Sequence, residues 1–360
     1  MHRRHLLALA AAAAARPALA QTGAQTAPAD LVTAARKEGK LSIYGTTDAT
    51  EAGPMLEAFR KEYPFIALEY ADQNSTELYN KFVAEAAANS GTADLLWSSA
   101  MDLQIKLVND GYAQSYQTTE RKALPDWAVW KDQAFGITAE PIAIVYNTRL
   151  VPEADVPRSH ADLLRLVTEQ KAKYQGKVTS YDIERSGVGF LFITQDAQQD
   201  ADGTMKLARA LGAAGAKFYT SSGAMMERIL SGEHLVGFNM IGSYAMSRRA
   251  KDPAMGVVLP KDWALVMSRV AFIPKGARNP ACAKLMLDFM LSKPGQAALA
   301  TSNMGPVRTD MDGGDGGGML AGYDRTKLRP IPVNQDLLGY LDQTKRLRFL
   351  RDWGRALQGK

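Results

Sequence analysis

Between residues 40 and 109 the chain repeats one unit three times: a short apolar stretch, a polar turn, then a segment with apolar residues at helical spacing. The first unit is a strand over 40–44 carrying Leu41 and Ile43, the turn Gly45-Thr46-Thr47-Asp48, and a helix over 52–63 stopped by Pro64. The second is a strand at 65–70, a turn at 72–75 and a helix at 77–88; the third is a strand at 94–97, closed by Ser98-Ser99, and a helix at 102–109. A helix over 31–38, ended near Gly39, precedes them. Strands that alternate with helices predict a parallel α/β sheet covered on both faces. The loops after its strands then gather on one edge, where open sheets of this kind bind ligands. Thr46, Thr47, Asn74, Ser75, Ser98 and Ser99 fall in those loops. Each suits a helix N-cap, but three such loops in one half of the chain point to a binding edge.

The rest of the chain predicts a second unit of the same class. Residues 135–147 form a long extended segment with Glu140-Pro141 at its middle, which suits a passage between domains better than a core strand. A helical region follows at 157–170, then a strand at 177–180 and the turn Arg185-Ser186-Gly187-Val188-Gly189 before the apolar run 190–193. Residues 215–219, Ser221-Ser222-Gly223 and a helix at 224–230 repeat the theme, and a buried strand at 237–240 ends at Gly242-Ser243-Tyr244. Residues 257–260 and 264–273 make a second extended passage, carrying the chain back. Helices at 282–291 and from Ser292-Lys293-Pro294-Gly295 onward, a loop at 301–306, a Gly/Asp-rich surface insertion at 311–318 and a basic amphipathic helix within 337–357 complete the reading. The expected division is a first lobe from 30–139 and 270–360, and a second lobe from 140–269.

The start of the chain bears on where it works. Arg3, Arg4 and His5 lead into the apolar run 6–15, and Ala18-Leu19-Ala20 closes it before Gln21. This is the pattern of a cleaved export signal over residues 1–20, and the run is about half of what a membrane span needs. The expected address is the periplasm. Arg3, Arg4 and Arg16 account for three of the five formal positive charges, leaving +2 for the mature chain. That is too little to imply nucleic acid or a membrane surface as partner. Cys282 is the only cysteine, so there is no internal disulfide, no CxxC pair and no lipid-anchor cysteine near residue 20.

No enzyme motif is present. The four histidines are His2, His5, His160 and His234, and HExxH, GxSxG and GxxxxGK[ST] are all absent. Asp315 in its glycine run lacks the regular oxygen spacing of a calcium loop. The chain is read as a binding protein with no cofactor and no metal. The best anion candidates are Arg185-Ser186-Gly187 and Ser221-Ser222 at the starts of helices, where backbone N–H groups and the dipole favour negative charge. Arg185 would close a bidentate clamp there. Glu140 at the crossover would accept hydrogen bonds from the ligand or form a hinge salt bridge, and Tyr244 would line a cleft.

These segments together resemble a known family. Leu41-Ser42-Ile43-Tyr44-Gly45, Ala93-Asp94-Leu95-Leu96-Trp97, Ile144-Val145-Tyr146-Asn147, Ser186-Gly187 before a helix, Gly232-Glu233, Phe289-Met290-Leu291-Ser292 and Gly295-Gln296 follow one another in a fairly specific order. In that order the chain is similar, over about 31–299, to type II periplasmic solute-binding proteins of ABC importers, in the ferric-iron-type branch of extracellular solute-binding family 1. The resemblance implies two α/β lobes joined by two crossing strands, closing on one solute that passes to an ABC permease in the inner membrane. Iron-binding members use adjacent tyrosines after a strand, usually with a histidine and a glutamate. Here that place reads Asn239-Met240-Ile241-Gly242-Ser243-Tyr244, and the first loop has no histidine. The other habit of the branch, organic phosphates, sugar phosphates, phosphonates or carboxylates held by serines, threonines and helix N-termini, matches better. The expected ligand is a small anionic organic solute held by Thr46, Thr47, Ser98, Ser99, Glu140, Arg185, Ser186, Gly187, Ser221, Ser222, Asn239 and Tyr244, in a monomer. The alternatives are a ferric or other metal-ion receptor, and a sensory receptor contacting a membrane sensor.

Overall fold

The strand–turn–helix repeat folds as its pattern requires. A computed structural model describes residues 27–311 and 322–360; the expected export signal and nearly all of the expected Gly/Asp-rich insertion lie outside the described residues. Helix α1 (Ala29–Glu38) ends at Gly39, whose φ of 65° only glycine adopts freely. Then come β1 (Lys40–Gly45), α2 (Ala49–Glu62), β2 (Ala67–Asp72), α3 (Ser75–Ala87), β3 (Leu95–Ser98) and α4 (Met101–Asn109). Strand β1 lies between β2 and β3, parallel to both, with Ile43 opposite Tyr70 on one side and Leu95 on the other. The buried Leu41 and Ile43 of β1 alternate with half-buried Ser42 and Tyr44, the period-two pattern of a pleated strand.

Two short strands, β4 (Val129–Trp130) and β5 (Ala134–Gly136), finish the first sheet before β6 (Glu140–Asn147) enters the second. The second unit runs α5 (His160–Glu169), α6 (Lys171–Tyr174), β7 (Val178–Tyr181), α7 (Gly187–Gln199), α8 (Ala201–Ala213), β8 (Lys217–Tyr219), α9 (Ser222–Leu230), β9 (Val236–Ile241), α10 (Gly242–Lys251), β10 (Met255–Val258) and β11 (Ala264–Met267). Two residues later β12 (Val270–Phe272) is back in the first sheet, followed by α11 (Pro280–Leu291) and α12 (Lys293–Ala300). The chain therefore passes between sheets at 137–139 and at 268–269, inside the two extended segments. The first sheet is ordered β2-β1-β3-β12-β5-β4.

The end of the chain departs from the expected division. Strand β13 (Leu328–Pro330) pairs in parallel with β11, completing a second sheet ordered β13-β11-β6-β9-β7-β8 with β10 on β6. Helix α13 (Gln343–Leu357) then packs on α8, and its Phe349 and Trp353 belong to the second lobe's core with Phe190 and Phe238. Residues 270–360 thus do not all return to the first lobe. The reason is geometric. The apolar face of α13 needs a partner, and Gly212 on α8 lets the helix end so close that a Cβ there would sit 1.9 Å from the Leu357 carbonyl oxygen. Cys282 is buried, as expected, and burial followed by the nearby Glu38 pushes its thiol up to about 12.

Candidate solute-binding site

A cavity of about 290 Å³ lies between the two sheets. Six helices begin at its wall: α2 at Asp48, α3 at Asn74 and Ser75, α4 just after Ser99, α7 at Val188, α9 at Ser221 and Ser222, and α10 at Ile241 to Tyr244. Each start follows a strand, which is how the loops of both sheets come to face one space. Helix N-termini present N–H groups and a positive dipole end, about half an elementary charge each. Some of these N–H groups are already capped: Asn74 Oδ1 accepts from Thr76 N–H at 2.9 Å, and Ser221 Oγ from Ala224 N–H at 3.3 Å.

Of the residues expected to bind ligand, Thr46, Ser99, Ser221, Ser222 and Tyr244 meet at the wall. Thr46 Oγ1 and Ser99 Oγ are 3.1 Å apart, and the Ser99 N–H donates to Thr46 Oγ1 at 2.9 Å, which ties the first and third loops together. Ser222 is 6 % exposed, and its buried Oγ has no hydrogen-bond partner of good geometry, although the Tyr181 hydroxyl is its neighbour. Gln73 Nε2, on the same wall, is likewise buried without a partner. An unpaired buried polar group costs about 1–3 kcal/mol, so these two atoms mark where a ligand would be welcome.

The other expected residues have different positions. Glu140 and Thr47 sit behind the wall, fully buried, in a network centred on Arg269. The guanidinium donates to Glu140 Oε1 at 2.8 Å, to Oε2 at 3.1 Å and to Thr47 Oγ1 at 2.9 Å. Thr138 donates to Glu140 Oε1 at 2.7 Å, and the Ser243 hydroxyl donates to Oε2. Burial opposes the Arg269 charge and Glu140 more than offsets it. Glu140 begins β6 and Arg269 lies between β11 and β12, so the pair bolts both crossings together. Glu140 is a hinge salt bridge, not a free acceptor.

Ser98 Oγ accepts from Ala100 N–H at 3.2 Å and Ser186 caps Gly189 N–H at 3.3 Å. Both are buried helix-start residues off the wall. Gly187 is a contact between lobes: a Cβ there would lie 2.7 Å from Leu103 Cδ1, and the next N–H, of Val188, donates to Ser75 Oγ at 3.3 Å. Arg185 is exposed and off the wall, so no arginine clamp closes this cavity. Asn239 takes a left-handed φ of 56° at a bulge between β6 and β9, and its Nδ2 donates to Asp196 at 2.7 Å. Asparagine tolerates that backbone well, and its side chain faces a structural partner.

Sequence reasoning passed over Asp48, Asp72, Gln73, Tyr181 and Thr220, all on the wall. Asp48 follows β1 and Asp72 ends β2, at the same sheet edge as Thr46, and a search limited to neutral groups misses them. The Tyr244 hydroxyl accepts from Asp48 N–H at 2.8 Å and donates to Asp48 Oδ1 at 3.3 Å, a bond across the cleft. Burial, then Asp48, raise the Tyr244 phenol well above its usual range, with Arg269 pulling the other way. Partial burial, then Asp48, raise the Asp72 carboxyl, although Asp72 keeps solvent contact at the rim. Among the described residues, no three His, Cys, Asp or Glu side chains converge as a metal site would need.

Residues 54–316 match the family model for bacterial extracellular solute-binding proteins. The chain belongs to that family. Among solved structures, this solute-binding protein is similar to the substrate-binding protein of an ABC transporter from Agrobacterium tumefaciens, at 39% identity, TM-score 0.84, and coverage of 88% of this chain and 94% of that one. It shares its fold with iron-bound HitA from Pseudomonas aeruginosa (19% identity, TM-score 0.71, 88% and 99% covered). The same holds for the periplasmic binding protein AfuA from Actinobacillus pleuropneumoniae with fructose-6-phosphate bound (21% identity, TM-score 0.74, 89% and 99% covered). No curated protein sequence matches it. The solute-binding protein has the two-lobed periplasmic binding protein fold, and it is a binding protein rather than an enzyme. Among the described residues, no helix is long and apolar enough to cross a membrane.

Proposed function

We propose that this protein works in the periplasm as a monomer, holds a small anionic organic solute between its lobes and delivers it to an ABC permease in the inner membrane. The solute is an organic phosphate, sugar phosphate, phosphonate or carboxylate. The observation that carries this reading is the convergence of six helix N-termini on a small cavity, with Ser222 Oγ buried and unpaired at one of them. Helix starts favour negative charge without an arginine. The similar Agrobacterium protein serves an ABC transporter, and AfuA holds a sugar phosphate on the same fold. Both support the class.

Native mass spectrometry on protein taken from its own periplasm without chelator, then denaturation and identification of what is released, tests the reading. An organic phosphate or carboxylate of defined mass is expected. A Ser222→Val variant should hold it about 10- to 100-fold more weakly, the equivalent of one hydrogen bond to a charged group at about 1.5–3 kcal/mol. No anion retained, and none bound from a broad mixture, would remove the reading.

A second reading is ferric ion, favoured by Tyr181, Tyr244, Asp48 and Asp72 sharing one wall. These are oxygen ligands of the hard kind, but both phenols are buried and held protonated by that burial. A visible absorption band on adding ferric citrate, lost in Tyr244→Phe, would establish it.

A further inference from the structure

Among the described residues, the charged side chains on the cavity wall are Asp48 and Asp72, both from the first lobe, and no lysine, arginine or histidine lines the wall beside them. Arg269, behind Tyr244, is committed to Glu140 on two bonds. Arg248 lies near the start of α9 but outside the wall, and its guanidinium is 3.5 Å from Glu227. The second lobe contributes Thr220, Ser221, Ser222 and Tyr244 with the starts of α7, α9 and α10, and no acid. The wall thus draws helix N-termini from both lobes but carboxylates only from the first, and Asp48 Oδ2 reaches the start of α9, 3.4 Å from where a Cβ on Gly223 would be.

From this we infer that the solute is a zwitterion, whose ammonium sits against Asp48 and Asp72 while its anionic end meets the helix N-termini of the wall that lie away from those carboxylates. The inference rests on the anionic-solute reading above and adds the second charge. Existing contacts leave acceptor capacity for it. Asp72 Oδ2 accepts from Ala49 N–H at 3.2 Å, and Asp48 Oδ1 accepts from the Tyr244 hydroxyl. Each carboxylate has a further oxygen, and an ammonium offers three donors. A hydroxylated anion such as a sugar phosphate would also donate to these oxygens, but would leave two neighbouring negative charges unneutralised. An ammonium removes that repulsion, which is why the amine is the better complement.

Calorimetry against matched pairs that differ only in the amine tests this: phosphoethanolamine with ethyl phosphate, 4-aminobutyrate with butyrate, aspartate with succinate, and fructose 6-phosphate beside them. In at least one pair the amine is expected to bind tenfold or more tightly than its partner. Asp72→Asn should erase that preference by weakening the amine while the amine-free partner binds as tightly as before or more tightly, since one repelling carboxylate is gone. Equal or tighter binding of the amine-free partner in every pair, or of fructose 6-phosphate over all amines, overturns the zwitterion and leaves the anion site standing. An Asp72→Asn variant that weakens both members of a pair alike overturns it too, because the carboxylate then only supports the loop. Binding by no member of the panel removes the anion reading and the inference together.

Discussion

At the scale of single residues, the buried charges decide more than the exposed ones. His160 stacks on Trp263 with centroids 4.0 Å apart, 2.9 Å from Asp262 Oδ1 and 3.6 Å from Asp196 Oδ1. Burial pulls its pKa down, but the two carboxylates outweigh it and lift the imidazole to about 9. Between the unfolded value near 6.5 and that raised value, the folded protein keeps a proton the unfolded chain has released. The contribution is therefore full below about pH 6.5 and lost as pH rises toward 9, on the order of 3 kcal/mol. Urea unfolding at pH 6 and pH 9.5 should show that loss, and His160→Asn should flatten it. Glu140→Gln is expected to cost about 3–5 kcal/mol, because it leaves the Arg269 charge buried and uncompensated. A small change in urea midpoint would mean that Arg269 finds another partner.

At the scale of elements, the helix starts meet across the cleft. Helix α7 begins with Gly187 against Leu103 of α4, and backbone Val188 N–H bonds Ser75 at the start of α3. A side chain at 187 has to displace Leu103 or hold the lobes apart. Gly187→Leu should keep each lobe folded, with melting little changed, yet weaken solute binding tenfold or more and increase the radius of gyration in small-angle scattering. Unchanged affinity would show that this contact plays no part in closure. Elements were largely legible in the sequence, because β1 alternates apolar and polar residues and β3 is a short apolar run, each bounded by turn residues. Their roles were less so. Ser186 and Ser221 share one residue type and the same N-cap position, but only Ser221 faces the cavity.

At the scale of the whole molecule, two crossings give a hinge and a third return ties the tail to the second lobe. Arg346 lies over the Phe190 ring at 4.2 Å and Phe349 meets the same ring at 5.9 Å, so α13 covers α7 as well as α8. Burying Phe349 contributes about 1.5–3 kcal/mol. Deleting residues 343–360 should lower the melting temperature through the second lobe, with amide exchange rising in α7 and α8 and not in α1 or α11. Equal loosening of both lobes would place the tail's effect elsewhere.

The sequence by itself determined the alternation of strand and helix, the two extended passages and the edge on which the loops collect. Each follows from local periodicity and turn chemistry, which act over a few residues. Only the tertiary structure decided which of the loop residues share a wall. Arg185 and Glu140 read equally well as ligand groups until burial and partners separate them, one exposed in solvent and one locked to Arg269 from 129 residues away. Asp48 and Asp72 read as ordinary loop acids until two sheets close around them. The tail's place was equally hidden, because an amphipathic helix states that it needs an apolar partner and not which lobe supplies it.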